Sequence, residues 1–423
     1  MGTTLPWILR LSSIAGLVSI VISHSAYLGN VNTHFSWLRS SQPALILNDA
    51  ESHIPSTASP RPSSDLSSAA GLLDSDAPDA NLAEVRAFAS AALVQAPLSA
   101  RALRIIGQAS NPENASRFME AAVATSKRES TAAWWLMRFN FEHKEYAEAA
   151  RFADLVLRFQ PTMAAYVVPI LGRMAETDGR SEVHDLLTAN PPWRIDFFRQ
   201  IGAAISDART PLQLLLNLKN SDAPPSPEEV HFYLALLLNN KLYDLAYYTW
   251  LMFLPEEQLS TTGLLANAEF KFPLSGEAFD WALKGGEGVR IEIGTAPDNS
   301  KKPALHFRFI GGRAGDHSVS HTLTLSPGNY RMSGRQLGNL LGPRGLSWHV
   351  SCLDSPGSSP IALGPMLKGA VKWTPFEFPI TVPKTGCPAQ VINLSLDARS
   401  ASERVVSGDI WLDNMDIGQS SAR

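Results

Sequence analysis

Two hydrophobic patterns follow one another along this chain. From Leu82 to about Leu259, apolar residues recur at spacings of three and four, the period of amphipathic helices. From Asn267 to Ile417, apolar and polar residues alternate, the period of half-buried β-strands. The change near residue 266 predicts a helical region over 81–262 and a β-rich region over 266–420, each with its own core.

The helical region contains an internal repeat. Ala100, Ala132 and Ala164 are spaced 32 residues apart, and each follows a segment that interrupts a helix. The clearest unit runs over 131–161 and predicts two helices joined by a turn. A second candidate unit runs over 227–255.

The unit at 131–161 resembles a tetratricopeptide repeat, because Tyr146, Ala149 and Pro161 occupy matching positions. Met137 stands where the family has a small residue. The resemblance implies helix pairs that stack into an α-solenoid, since only neighbouring pairs can bury each apolar face, and it implies a concave face that binds a protein partner. The alternative is that the tryptophans of this region form the core between helices, namely Trp134, Trp135, Trp193 and Trp250.

The β-rich region predicts nine short strands, separated by clusters of Gly, Pro, Asn or Asp. They are 268–272, 289–293, 305–309, 319–325, 330–335, 346–352, 376–382, 391–396 and 410–417. Many short strands with turn signals between them predict an antiparallel β-sandwich of the jelly-roll type. The predicted fold class is therefore multidomain α + β, with an N-terminal membrane segment, an α-solenoid and a C-terminal sandwich.

Three segments of this region, 279–283, 323–332 and 408–417, resemble the galactose-binding type of β-sandwich, the fold of many carbohydrate-binding modules. The resemblance implies a glycan ligand, with aromatic rings that stack on sugar C–H faces and polar side chains that bind hydroxyl groups. The candidate residues are Trp281, Tyr330, Arg335, Trp348, His349 and Trp373, with Asp354 as a further polar group. The alternative is that the tryptophans on strands fill the core.

The same resemblance implies a structural calcium ion, with Glu269 and Asp413 as candidate ligands. Ca²⁺ takes about six to eight oxygen ligands, and the sequence offers only these two carboxylates there. The alternative is that Asp413 caps a turn by hydrogen-bonding its own backbone. We expect no other cofactor.

The N-terminus carries the signal for cellular location. Arg10 precedes an uncharged, largely apolar run over 11–28. Within residues 1–29 this fits an uncleaved membrane anchor or a cleaved signal peptide, and a buried helix of a soluble protein is the third alternative. The Ser-, Pro- and Ala-rich stretch over 30–80 predicts a flexible linker. Since positive charge stays inside, we expect a bacterial inner-membrane protein whose bulk is periplasmic, or one released into the periplasm after cleavage.

Charge and cysteine usage narrow the function further. A net charge of −4 without any Lys/Arg-rich block argues against a nucleic-acid partner. The two cysteines, Cys352 and Cys387, both lie in the sandwich. Export would favour a disulfide between them, whereas a cytosolic protein would keep two buried thiols. No carboxylate pair or nucleophile motif stands out by its spacing, so we assign no catalytic residue.

Together these observations favour a non-enzymatic protein of the bacterial envelope. The helical repeats would bind a protein partner and the sandwich would bind a glycan, in the synthesis or export of an exopolysaccharide. The polysaccharide role follows from the fold analogy alone. A purely structural scaffold for protein–protein contacts is the alternative, and a hydrolase of envelope glycans is the third hypothesis.

Overall fold

The computed structural model describes residues 79–298, 301–354 and 359–420. The chain divides between Pro224 and Pro225 into two compact units. The predicted membrane or signal segment at 1–29 and the predicted linker up to residue 78 lie outside the described residues. Within the described ranges, every helix is too short or too polar to cross a bilayer.

The first unit is built from helices that pack against their neighbours in sequence. They are α1 (Asp79–Gln95), α2 (Ala100–Gln108), α3 (Pro112–Thr125), α4 (Ser130–Glu142), α5 (Tyr146–Phe159), α6 (Ala164–Ala175), α7 (Arg180–Thr188), α8 (Arg194–Gln200) and α9 (Thr210–Lys219). Side-chain caps start two of them: Ser99 accepts a hydrogen bond from the Ala102 N–H, and Asn111 accepts one from the Asn114 N–H. Helices α4 and α5 form the helix pair expected at 131–161, and the tetratricopeptide assignment stays a prediction.

The second unit begins with three helices, α10 (Pro227–Asn239), α11 (Tyr243–Phe253) and α12 (Glu256–Leu259). Ser226 and Glu229 form a capping box that starts α10. Trp250 of α11 is buried and packs against Phe279, with 5.9 Å between the ring centroids. The α10–α11 hairpin is therefore packed against the segment that leads into the sandwich.

The rest of the second unit is an antiparallel, two-sheet sandwich, as predicted. Its strands are β1 (Ala282–Lys284), β2 (Val289–Thr295), β3 (Pro303–Arg313), β4 (Ser318–Leu323), β5 (Gly328–Leu341), β6 (Leu346–Cys352), β7 (Ala362–Leu363), β8 (Thr374–Val382), β9 (Gln390–Leu396) and β10 (Val405–Gln419). The first sheet has the order β1-β4-β9-β6-β7 and the second sheet has the order β2-β3-β10-β5-β8. Inward-facing residues of both sheets form one hydrophobic core.

One predicted strand is wrong. Residues 268–272 form turns and loop, because Asn267 and Phe270 adopt left-handed backbone conformations with φ of 47° and 54°. The Asn267 side chain holds this loop by donating to the Phe272 carbonyl and accepting from the Phe272 N–H, at 3.0 and 3.1 Å. Such local side-chain hydrogen bonds compete with strand pairing.

Cys352 and Cys387 form a disulfide, with 5.1 Å between their Cα atoms. The bond joins the end of β6 to the segment that precedes β9. Gln390, which is fully buried, donates to the Cys387 carbonyl and accepts from the Leu325 N–H. This end of the first sheet is therefore held by a covalent bond and by a satisfied polar side chain.

Candidate functional site

The outer face of the second sheet carries aromatic and charged side chains next to one another. On β10, Ile410 and Leu412 are buried, so Trp411 between them faces outward. The register pairs Trp411 with His306 on β3 and with Leu337 on β5. Strand alternation thus places the Trp411 indole on the outer face of β10, the middle strand of the sheet. The residues beside it come from β3 and β5.

The Trp411 ring reaches across β3 towards Gly294 of β2. It stacks on His306 with 3.8 Å between ring centroids and 3° between ring planes. His306 is only 2% exposed although it is on the outer face, so the indole covers it. At Gly294 on β2, an added Cβ would lie 3.2 Å from the far edge of the ring, so the glycine leaves room for it. One face of the indole is therefore covered by His306, and Trp411 as a whole stays partly exposed.

Charged groups surround this ring. The imidazole of His306 lies 2.7 Å from an Asp409 oxygen and 3.6 Å from a Glu292 oxygen. Arg308 donates to the same Asp409 carboxylate at 2.9 Å. Burial raises the pKa of Asp409, but hydrogen bonds from Arg308 and His306 outweigh it, so the pKa lies below its ordinary value. Asp409 is therefore an ionised acceptor at neutral pH, beside an aromatic surface.

A second cluster lies two residues further along β10. Arg335 donates two hydrogen bonds to Asp413, from Nε at 3.0 Å and from Nη2 at 2.7 Å. The Arg335 guanidinium also lies 5.1 Å from the ring centre of Trp373, within the range of a cation–π contact. Trp373 Nε1 donates to Asp298 at 2.6 Å. These contacts hold the guanidinium and the indole in fixed orientations.

A depression of about 400 Å³ opens beside Arg335, within the range typical of small-molecule sites. A β-bulge between Asp413 and Asp416 shapes it, and Asn414 adopts a left-handed conformation there with φ of 53°. Its lining residues are Ser333, Gly334, Arg335, Pro375, Phe376, Glu377 and Asn414. A second depression, of about 140 Å³ near the Asp316–Arg404 ion pair, is smaller than such sites usually are.

Three of the predicted sugar-binding residues lie in the core instead. Trp281, Trp348 and Tyr330 are 1%, 0% and 4% exposed. The two tryptophan rings contact each other at 6.1 Å, and the Tyr330 hydroxyl donates to the Ser326 carbonyl. Each side chain points between the sheets, so none of the three can stack on a sugar in this structure. The core interpretation of these tryptophans is the correct one.

The remaining predicted residues lie in three places. Arg335 and Trp373 come together with Asp413 on the outer face of the second sheet. His349 lies on the outer face of the first sheet, opposite Leu363. Asp354 accepts a hydrogen bond from Tyr243 of α11 at 2.6 Å, so it links α11 to the sandwich within the second unit. Of the predicted residues, Arg335 and Trp373 therefore lie together, and their role in binding stays a prediction.

Sequence reasoning missed Trp411 and His306 as site residues. A usable signal was present, since Trp411 stands between the apolar residues Ile410 and Leu412. In a strand with one buried face, apolar neighbours on both sides place the central residue on the other face.

The predicted calcium pair does not fit a metal site. Both oxygens of Asp413 accept hydrogen bonds from Arg335, and Glu269 forms an ion pair with Lys271. Hydrogen bonding to Lys271 is the main reason why the pKa of Glu269 is lowered. Across the described part of the chain, no three Asp, Glu, His or Cys side chains come together as a metal site requires.

No protein-family model matches this sequence, and no curated protein sequence matches it either. Among solved structures, the C-terminal part of the chain resembles carbohydrate-binding modules. A family 4 module is 13% identical, with a TM-score of 0.28, over 37% of this chain and 99% of that one. A family 61 module solved with β-1,4-galactotriose is 17% identical (TM-score 0.26, 37% and 98% covered), and a family 16 module is 14% identical (0.27, 37% and 100%). Similarities at this level carry no argument about a ligand, so the case for one has to come from the geometry of the sandwich.

Proposed function

We propose that the sandwich binds a carbohydrate on the outer face of its second sheet. The observation that supports this most directly is Trp411, a partly exposed indole that stacks on His306 with nearly parallel rings. A pyranose ring presents an apolar C–H face that can stack on an indole, while its hydroxyl groups need hydrogen-bonding partners. Ionised Asp409 and the Arg308 guanidinium stand beside the ring and supply acceptors and donors.

The polar groups of this face are held in place before any ligand arrives. Asp409 is bound by His306 and Arg308, and Asp413 is bound by two atoms of Arg335. Side chains that are already ordered lose little conformational entropy on binding, which favours affinity. The depression beside Arg335 offers further hydroxyl partners from Ser333, Glu377 and Asn414.

Titration calorimetry with a panel of soluble oligosaccharides tests this proposal. Trp411→Ala should weaken binding at least tenfold, which corresponds to about 1.4 kcal/mol. His349→Ala, on the outer face of the first sheet, is the matched control and should leave the affinity unchanged. The proposal is wrong if folded wild-type protein binds no member of the panel, or if the Trp411→Ala protein binds as tightly as wild type.

For the helical unit we propose a protein partner. Trp135 and Phe139 of α4 and His143 at its C-terminal cap form an aromatic stripe, with ring-centroid distances of 4.9 Å and 4.1 Å along it. Trp135 and Phe139 are partly exposed, whereas Trp193 in the same unit is buried. Tryptophan is enriched among the residues that dominate protein–protein binding. A purified partner should bind the wild-type chain and lose affinity for Trp135→Ala; equal affinity for both proteins would contradict this assignment.

The cellular setting that we propose is the periplasmic side of a bacterial inner membrane, in the synthesis or export of an exopolysaccharide. The Cys352–Cys387 disulfide supports an oxidising compartment. A reporter enzyme that is active only after export, fused at the C-terminus, should be active. An inactive reporter on a stably expressed fusion would contradict the setting. A purely structural scaffold would bind protein partners and no glycan. Glycan binding by the wild-type chain would therefore argue against the scaffold, and protein binding without any glycan binding would favour it.

A further inference from the structure

We infer that the ligand of the second sheet is a chain of uncharged sugars, rather than an acidic polysaccharide or a single sugar. This inference rests on the proposed carbohydrate binding and adds the class of ligand. It follows from how charges are paired on this face and from how far apart its contact groups lie.

Around Trp411 and the depression, each arginine on the strands of this sheet has a carboxylate partner on the same face, whereas Arg313 lies at the far end of β3, opposite Val405. The four pairs are Arg290–Glu292 at 2.7 Å, Arg308–Asp409 at 2.9 Å, Arg331–Glu377 at 3.4 Å and Arg335–Asp413 at 2.7 Å. Asp416, which is exposed after the β-bulge, adds a fifth carboxylate. Around Trp411 and the depression, four arginines therefore stand among five carboxylates, and none of these four arginines is left without a carboxylate partner.

A polyanion would gain little from such a face. Recognition of acidic polymers depends on a surplus of cations that attracts the ligand at long range. Here an incoming carboxylate would have to displace Asp409 or Asp413 from an arginine, and would then lie beside the displaced charge. Like charges placed together across an interface cost several kcal/mol. Hydroxyl groups can instead donate to the carboxylates and accept from the guanidinium groups without breaking the ion pairs.

The contact groups lie too far apart for one sugar ring. Trp411 pairs with Leu337 of β5, and the depression is lined by Ser333 of the same strand. These two positions are four residues apart, about 14 Å at ~3.4 Å per residue. The Arg335–Asp413 pair lies between them. A single pyranose can stack on Trp411 or enter the depression, whereas a chain of sugars can do both and contact the ion pair on the way.

The test is a calorimetric titration of the full chain with two matched series, neutral gluco-, xylo- and galacto-oligosaccharides and acidic oligogalacturonates, each from the monosaccharide to the hexasaccharide. We expect neutral chains to bind at least tenfold more tightly than their monosaccharides, with little change between low and high salt. Tighter binding of the acidic series that weakens with salt would overturn the inference, and so would equal affinity for a monosaccharide and its hexasaccharide.

Two variants separate this inference from the proposal beneath it. Asp416→Lys adds a cation at an exposed site and should increase the affinity for oligogalacturonate at least threefold, while Trp411→Ala should weaken whichever series binds. If no sugar of either series binds, or if Trp411→Ala changes nothing, the carbohydrate site itself is wrong. If acidic sugars bind best and Trp411→Ala weakens them, the site stands and the inference about charge is wrong.

Discussion

The two sheets of the sandwich share one core, yet their outer faces differ sharply. On the first sheet, the outward positions of β4, β9 and β6 hold small or uncharged side chains almost throughout: Ser318, Ser320, Thr322, Val391, Asn393, Ser395, Ser347, His349 and Ser351. On the second sheet, the outward positions, those of the edge strands β2 and β8 included, hold Trp411, a buried His306 and four arginine–carboxylate pairs. The same fold therefore presents one plain face and one face rich in binding groups.

This difference distinguishes residues that packing requires from residues that packing does not require. Packing explains the inward positions of both sheets equally, because each sheet must bury one apolar face. Packing does not require an indole and a network of ion pairs on a surface that already faces water, where ion pairs add little stability. The concentration of an indole and ion pairs on the second sheet is what favours a binding role for that sheet.

The largest effect expected is the loss of a buried tryptophan. Trp348 is fully buried behind the first sheet, so Trp348→Ala should lower the free energy of unfolding by about 3–5 kcal/mol. Trp411→Ala, on the outer face of the second sheet, should cost less than about 1 kcal/mol. Urea unfolding of the two variants measures both changes. Equal losses would mean that Trp411 is a structural residue and would weaken the contrast.

Loss of the disulfide should come next. The Cys352–Cys387 bond closes a separation of 35 residues, for which the chain-entropy model gives about 3–4 kcal/mol of stabilisation. The Cys352→Ser/Cys387→Ser protein should therefore unfold at lower urea concentration. Because the bond lies at the end of the first sheet, the folded variant should still bind sugar with wild-type affinity. Loss of binding under folding conditions would show that the two sheets are not functionally separate.

Acid should destabilise the second unit through His321, which faces the core beside Trp281. Burial lowers the pKa of His321 to about 4 from an ordinary value of 6.5. Between these two values the unfolded chain binds more protons than the folded chain, so stability falls as the pH drops from 6.5 towards 4, by about 3 kcal/mol in total. His321→Gln should flatten this dependence in urea titrations across that range. An unchanged slope would remove His321 as its cause.

A small, local effect is expected at Gly294, where an added Cβ would lie 3.2 Å from the Trp411 ring. Gly294→Ala should tilt the indole slightly and weaken sugar binding about threefold, roughly 0.7 kcal/mol. Gly294→Val should weaken it further, because the branched side chain occupies more of the space under the ring. Both affinities can be measured by the calorimetric titration used for Trp411→Ala. Wild-type affinity in the valine variant would argue that a flat indole is not needed.

Much of the sandwich could be predicted because strand alternation is a local property. Residues 346–352 were predicted as a strand and match β6 at both ends. Alternation also holds the information that separates the two kinds of tryptophan: Trp348 stands between Ser347 and His349 and faces inward, whereas Trp411 stands between two apolar residues and faces outward. Reading residue type without its neighbours assigned Trp348 to the site and overlooked Trp411.

The assembled cluster could not be predicted in the same way. Arg335 and Asp413 are 78 residues apart in sequence, and only the register between β5 and β10 brings them together. That register depends on long-range pairing, which the pattern within one strand does not specify. The left-handed conformation of Phe270 is a similar case, since apolar alternation over 268–272 suggested a strand that the Asn267 hydrogen bonds prevent.

The most direct test of the central claim is ¹⁹F NMR of the full chain labelled with fluorotryptophan, with the resonances assigned by single Trp→Phe variants. Adding a neutral oligosaccharide that binds should move the Trp411 resonance strongly and the Trp373 resonance as well, and should leave the core residues Trp281 and Trp348 in place. If saturating sugar leaves the Trp411 resonance unmoved, the outer face of the second sheet is not where the ligand binds.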